Sequence, residues 1–173
     1  MEEALDFIKI ALPAGLAIYA MHLTISSFLK KDFEKKLLDI KHKSTEIILP
    51  NRLQAYERMT LFLERISPGN LILRVNDPSY TAKQLQAALI RDIRDEFNHN
   101  LSQQVYMSDE VWKRIKNTVE ELIALINEAE REAGAEAKGI DLAKVIFSKM
   151  SEDGAVDIDG TIRQLKGEIQ RLF

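Results

Sequence analysis

The sequence predicts an all-α protein in which one N-terminal transmembrane helix continues into a cytoplasmic helical bundle. Two observations predict this class: an uncharged apolar run near the N-terminus, and apolar residues that recur every three or four positions afterwards. No segment alternates apolar and polar residues for long enough to predict a β-sheet. We therefore expect an anchor at 1–29, a basic juxtamembrane helix at 30–49, a bundle core at 50–133 and a C-terminal helical hairpin at 134–173.

The composition is that of a folded protein, and it excludes several kinds of site. Of the 173 residues, 46% are apolar and 29% charged, and the net charge of -3 gives no general attraction to nucleic acid. The chain has no cysteine, which excludes disulfides, zinc-thiolate sites and thiol catalysis. The three histidines, His22, His42 and His99, lack metal-ligand spacing, so we expect neither a metal nor a cofactor.

The segment from Ile10 to Leu29 has the length and composition of a membrane span. Its roughly 20 residues carry no formal charge and would form a helix about 30 Å long, which matches the hydrocarbon core of a bilayer. A signal peptide and a buried soluble helix are the alternatives, but the preceding residues are mostly acidic and no cleavage site follows. His22 is a candidate functional group of the span, because ionisable residues are rare inside membranes. With no second ionisable group in mid-span, we prefer a helix-packing or water-bonded role to a proton relay.

The residues after the span predict its orientation. Lysines that follow a span are retained on the cytoplasmic side, and this segment carries Lys30, Lys31, Lys35, Lys36, Lys41 and Lys43. The N-terminus should therefore lie outside and the bundle in the cytoplasm. The same lysines either serve only as this topology signal, which we prefer, or also attract anionic lipid headgroups. One stripe of small residues would let two copies of the span approach, so a homo-oligomer is also predicted: Ala17, Ala20, Thr24 and Ser27.

Prolines and capping residues predict the boundaries of the helices in the bundle. Pro50 should end the first helix, because the residue before a proline avoids the helical conformation, and Asn51 should cap the second. The run from Leu71 to Val75 is interpreted as a helical turn or a tucked loop.

The later helices should begin at short polar residues that can accept a backbone hydrogen bond. Ser79 or Thr81 is expected to start a helix that ends near Tyr106. Ser108 should cap the next helix, and Asp157 or Asp159 the last one. The most regular apolar stripe marks the buried face of the helix after Ser108: Val111, Ile115, Val119, Leu122, Ile126 and Ala129.

Arg94, Asp95 and His99 form the most specific catalytic pattern. They resemble the motif of the HEPN ribonucleases, which are also helical bundles and whose arginine and histidine act on the scissile phosphate, usually across a dimer interface. Histidine transfers protons near neutral pH, and arginine binds phosphate through paired hydrogen bonds. The other interpretation is a solvated helix face with His99 bonded to Asp95, and Glu96 adds negative charge where a phosphate would bind. We prefer no catalytic site, and keep the ribonuclease as the alternative.

Uncharged polar side chains crowd the segment from Glu96 to Trp112. Amides in such a segment either bond a neighbouring loop, since buried amides need partners, or form a partner-binding surface. Both interpretations stay open. The candidate surface consists of Asn98, Asn100, Gln103, Gln104 and Tyr106.

The N-terminal membrane helix, the basic helix and this amide-rich junction together resemble an uncharacterised bacterial family of short, membrane-anchored helical proteins. The resemblance covers nearly the whole chain and implies an inner-membrane location, but no activity. The anchor, the basic helix and the lack of a convincing catalytic set lead us to expect a scaffold or accessory protein that binds membrane lipid and other proteins or a larger membrane complex. Nucleic acid is not an expected partner.

Overall fold

A computed structural model describes residues 1–134, 136–152 and 156–171, without the side chains of residues 2–11, 14, 40–45 and 47 in the first helix. The described residues form α1 (Glu2–Ile66), α2 (Pro68–Val75), α3 (Ala82–Asn100), a 3₁₀ helix (Leu101–Tyr106), α4 (Asp109–Ala133), α5 (Gly139–Met150) and α6 (Ile158–Gln170). The only β-type pairing among them is an isolated bridge between Thr81 and Lys138. The predicted all-α class is confirmed.

The chain divides into two compact units, residues 1–49 and 50–173. In the first unit, every described side chain from Leu12 to Leu29 is exposed. Among the described residues, we find no helix with a stretch long and apolar enough for a membrane crossing. The side chains of Ile10, Ala11 and Ala14, which belong to the predicted span, lie outside the described residues.

Pro50 does not end the first helix, so this prediction was wrong. The helix α1 runs from Glu2 to Ile66, and Asn51 lies inside it rather than at a cap. An internal proline costs a helix about 3 kcal/mol. Beyond Pro50, α1 buries Met59 and Leu63 completely, and burial of each such side chain contributes about 1.5–3 kcal/mol. This burial stabilises the part of α1 that follows Pro50.

The predicted caps of the later helices are confirmed where the structure describes them. Thr81 begins α3 with a capping box: its hydroxyl accepts from the Gln84 backbone N–H at 3.2 Å, and the Gln84 side chain accepts from the Thr81 N–H at 2.9 Å. Ser108 caps α4, and Asp157 caps α6 by accepting a backbone N–H at 2.7 Å. The run at Leu71 is helical, as part of α2. The last turns before Tyr106 form the 3₁₀ helix instead of continuing α3.

A single hydrophobic core fills the second unit. It joins the end of α1 with α2 to α6, and Trp112 stacks on Phe97 at a centroid distance of 5.5 Å. Since α5 and α6 contribute to the same core, the predicted boundary near residue 134 falls inside this unit. Its most enclosed side chains include Phe62, Leu63, Leu85, Leu89, Ile93, Ile115, Leu122, Ile126 and Leu142.

Two backbone hydrogen bonds fasten the start of α5 to the start of α3. The Ala82 N–H donates to the Ala137 carbonyl at 2.9 Å, and the Gly139 N–H donates to the Tyr80 carbonyl at 2.8 Å. A Cβ atom at Gly139 would lie 3.1 Å from that Tyr80 oxygen. This close approach is why a glycine suits the first position of α5.

Candidate functional site

The residues of the ribonuclease-like pattern lie on the surface of α3. Arg94, Asp95 and His99 are all exposed. A spacing of five residues places Arg94 and His99 about 140° apart around the helix axis. Glu96, between them in sequence, accepts hydrogen bonds from Arg65 at 3.0 and 2.5 Å. The structure therefore brings Arg94 and His99 onto one helix but not onto one face of it.

The predicted amide-rich surface divides into buried and exposed members. Asn100 is buried, and its amide donates to the Glu96 carbonyl at 2.8 Å. Gln104 is exposed but donates to the Leu101 carbonyl at 3.0 Å, as part of its own 3₁₀ turn. Gln103 and Tyr106 are partly exposed, and Asn98 is exposed. The accessible part of this segment therefore centres on the 3₁₀ helix.

A polar cleft of about 450 Å³ lies between this 3₁₀ helix and the part of α1 that belongs to the bundle. We call it the amide cleft. The α1 wall consists of Asn51, Gln54 and Arg58, and the opposite wall of Ser102, Gln103, Val105 and Tyr106. The volume lies within the range of about 300–1,000 Å³ that is usual for ligand sites.

The walls of the amide cleft are joined by Arg52. Its Nε atom donates to the Tyr106 carbonyl at 3.3 Å, and its Nη2 atom donates to the Tyr56 hydroxyl at 3.5 Å. This side chain therefore connects α1 to the end of the 3₁₀ helix and fixes the position of one wall relative to the other.

A second polar cluster, which we call the Glu168 clasp, holds α1, α4 and α6 together. The Glu168 carboxylate accepts from the Tyr56 hydroxyl, and from the Ser108 N–H and hydroxyl at 2.9 and 2.5 Å. The N–H groups at the start of a helix attract negative charge. The negative charge of Glu168, near the end of α6, therefore compensates the partial positive charge at the start of α4.

The clasp changes the ionisation of its members. Burial alone would raise the pKa of Glu168, but the hydrogen bonds from Ser108 and Tyr56 favour the carboxylate and hold its pKa below the ordinary value. For Tyr56, burial and then the bond to Glu168 raise the pKa above its ordinary value. At neutral pH the clasp therefore consists of a neutral phenol and a charged carboxylate.

The predicted basic segment is exposed where it is described. Lys30, Lys31, Lys35 and Lys36 are exposed, and Lys36 pairs with Asp32 at 2.8 Å. Lys41, His42 and Lys43 lie outside the described side chains. His22 is exposed on α1.

No cluster of three or more potential metal-ligating His, Cys, Asp or Glu side chains occurs in the described part of the chain. In the Glu168 clasp, the two titratable side chains, Tyr56 and Glu168, are hydrogen-bonded to each other. Their pattern of contacts is that of a structural connection between helices.

Sequence reasoning missed the α1 wall of the amide cleft. Asn51, Gln54 and Arg58 are separated by three and four residues, so they share one face of a helix. The sequence shows that spacing, but it does not show that the 3₁₀ helix packs opposite this face. The Glu168 clasp had no local signal, because Glu168 lies 112 residues from Tyr56 and 60 from Ser108.

These features define a class: an all-helical protein with an exposed apolar helix in one unit and a bundle with a polar cleft in the other. The chain matches the model of DUF7935, a family of unknown function, over residues 2–172, and it belongs to that family. The expected membership of an uncharacterised family is thus confirmed, whereas a bacterial source and a membrane anchor stay predictions. No curated protein and no solved structure matches the chain.

Proposed function

We propose that this protein is a single-pass scaffold or accessory protein of a bacterial inner membrane that presents its helical bundle to cytoplasmic proteins. The observation that carries the proposal is the exposure of large apolar side chains between Leu12 and Leu29. Ile18 and Phe28 are each 70% exposed, and Leu16 is 61% exposed. A helix that is apolar on all sides is normally enclosed by lipid or by other protein.

The charges beside this segment support the orientation in the proposal. Four exposed lysines follow the apolar residues within two helical turns: Lys30, Lys31, Lys35 and Lys36. Positive residues next to a span favour the cytoplasmic side. Among the described residues, Lys36 pairs with Asp32, and no ion pair includes Lys30, Lys31 or Lys35. These three are placed to meet anionic headgroups.

The bundle supports a binding role through the surface around the amide cleft. Val105 is 78% exposed on the 3₁₀ helix, and amide side chains lie beside it in the cleft. This surface therefore offers a partner both hydrogen-bonding groups and an apolar contact.

Cysteine labelling tests the proposed orientation. Because the chain has no cysteine of its own, a cysteine added before Met1 and the substitution Glu121→Cys each report one position. We expect a membrane-impermeant maleimide to label the N-terminal cysteine in intact cells, and Glu121→Cys only after permeabilisation. Labelling of Glu121→Cys in intact cells would contradict the orientation.

Affinity purification of the full-length protein in detergent, with mass spectrometry and sizing, tests the scaffold role. We expect a stoichiometric partner protein that is retained through the bundle. Its retention should be lost on substitution of the bundle surface and unchanged on exchange of the N-terminal helix for an unrelated span. A homodimer without any partner would contradict the scaffold role.

A further inference from the structure

The amide cleft has the chemistry of a site for peptide main chain. Asn51, Gln54 and Gln103 carry side-chain amides, and each amide offers donors and an acceptor in the same geometry as a peptide bond. An extended segment needs such partners when its own N–H and C=O groups leave water. Ser102 already accepts from the Gln103 amide at 3.3 Å, which orients that amide within its wall.

The positive charge of the amide cleft favours a negatively charged peptide segment. Arg58 supplies the only formal charge among the described residues that line it. Arg58 is exposed, and none of the ion pairs between described residues includes it. A guanidinium group matches a carboxylate through two parallel hydrogen bonds. Because the amides of the cleft match peptide main chain, the complementary ligand is a peptide segment, and its unmodified anionic groups are carboxylates.

The cleft is also fixed before any ligand binds. Arg52 holds the Tyr106 carbonyl at 3.3 Å, and the Glu168 clasp holds Ser108, two residues further along. A site whose walls are already positioned loses less conformational entropy on binding. Val105 adds an exposed apolar contact beside the polar groups.

We propose that the amide cleft binds an extended acidic segment of a partner protein. Arg58 pairs with an Asp or Glu carboxylate of that segment, the amides of both walls bond its main chain, and Val105 packs against a neighbouring side chain. This inference rests on the proposed scaffold function and names its docking site and the chemistry of its partner.

The test measures binding of the full-length protein in nonionic detergent to short random-sequence peptides graded by their content of Asp and Glu. We expect affinity to rise with acidic content and to fall with added salt. Arg58→Gln should lower the affinity for acidic peptides about tenfold or more, since a hydrogen bond to a charged group contributes about 1.5–3 kcal/mol. Arg58→Lys should retain part of it.

The matched control is Arg91→Gln, which removes the same charge from an exposed position on α3 outside the cleft. This variant should bind within about twofold of the wild type, because a distant exposed charge is screened. Circular dichroism of each variant verifies that the bundle is folded. Equal losses in Arg58→Gln and Arg91→Gln, or no preference for acidic peptides, would overturn the proposal.

The purification experiment separates failure of this inference from failure of the scaffold role. A partner that still co-purifies with Arg58→Gln at wild-type stoichiometry would refute the acidic-segment site and leave the scaffold role standing. Loss of the partner with Arg58→Gln, and its retention with Arg91→Gln, would support both.

Discussion

The two units of this chain use the same kind of apolar side chain in opposite ways. In residues 50–173, Leu85, Leu122 and Leu142 are completely enclosed, whereas in residues 1–49 Leu16 and Ile18 are 61% and 70% exposed. Both sets lie on helices. Apolar stripes of the second unit face other helices of the same chain, while the first unit is a single helical segment. Under the proposed function, the first unit meets lipid, whereas the helices of the second unit meet one another.

The largest change in the free energy of unfolding is expected for a truncation in the core of the second unit, compared with the same truncation in the first unit. Leu122→Ala should lower the free energy of unfolding by about 3 kcal/mol, because it removes buried methyl groups and leaves a cavity. Leu16→Ala makes the same change in the exposed segment and should alter the free energy of unfolding by less than about 0.5 kcal/mol. Urea unfolding followed by circular dichroism measures both. Equal effects would contradict the division into buried and exposed helices.

The second prediction concerns the Glu168 clasp. Glu168→Gln should lower the free energy of unfolding by about 2 kcal/mol, because charged hydrogen bonds to Ser108 and Tyr56 are weakened or lost. Glu120→Gln at an exposed position of α4 is the matched control and should change little. Similar unfolding midpoints for both variants would show that the clasp does not connect the helices energetically.

The third prediction is the pH dependence of the difference in free energy of unfolding between the wild type and Glu168→Gln. The pKa of Glu168 is lower in the folded protein than its ordinary value of 4.5. Its contribution is therefore fully present above that ordinary value and is lost as the pH falls through the lower, folded pKa. The stability gap between the wild type and Glu168→Gln should narrow below about pH 4.5. Unfolding curves at a series of acidic pH values measure it, and a gap that widens in acid would contradict the assigned ionisation.

The fourth prediction compares two glycines. Gly139→Ala should destabilise the bundle by about 1 kcal/mol, because its Cβ would press on the Tyr80 carbonyl at 3.1 Å. Gly167→Ala in α6 meets nothing within 4 Å, and should stabilise by about 0.5–1 kcal/mol through better helix propensity. Thermal unfolding shows whether each variant is more or less stable than the wild type. A Gly139→Ala protein more stable than the wild type would show that the backbone near Tyr80 moves to accommodate the added Cβ at little cost.

The smallest effect is expected at the ribonuclease-like residues. His99→Ala should change the free energy of unfolding by less than about 0.5 kcal/mol, because His99 is exposed. We also expect the purified protein to leave a labelled RNA intact. Cleavage by the wild type that is lost in both His99→Ala and Arg94→Ala would replace the scaffold proposal with a nuclease.

Local features of the fold could be predicted from the sequence because their causes are local. The caps at Thr81, Ser108 and Asp157 depend on side chains that bond backbone groups within the next turn. The stripe through Leu122 followed from helical periodicity alone. Pro50 was the exception, since α1 continues through it despite its local preference.

The candidate site was only half predictable. Gln103 and Tyr106 stood out because uncharged polar residues crowd one segment. The opposite wall at Arg58, and the clasp at Glu168, depend on which helices pack together. No periodicity or spacing encodes those long-range neighbours, so only the tertiary structure brings them together.

Alkaline extraction of membranes from cells that produce the full chain tests the central claim most directly. We predict that the wild type stays in the membrane pellet. The double variant Ile18→Lys, Ile25→Lys should move to the soluble fraction, since each charge at the centre of a span costs about 2.5–3.5 kcal/mol. The matched double variant Leu61→Lys, Leu73→Lys, at exposed positions of the bundle, should remain in the pellet. Wild-type protein in the soluble fraction would contradict the claim that the first unit lies in a membrane.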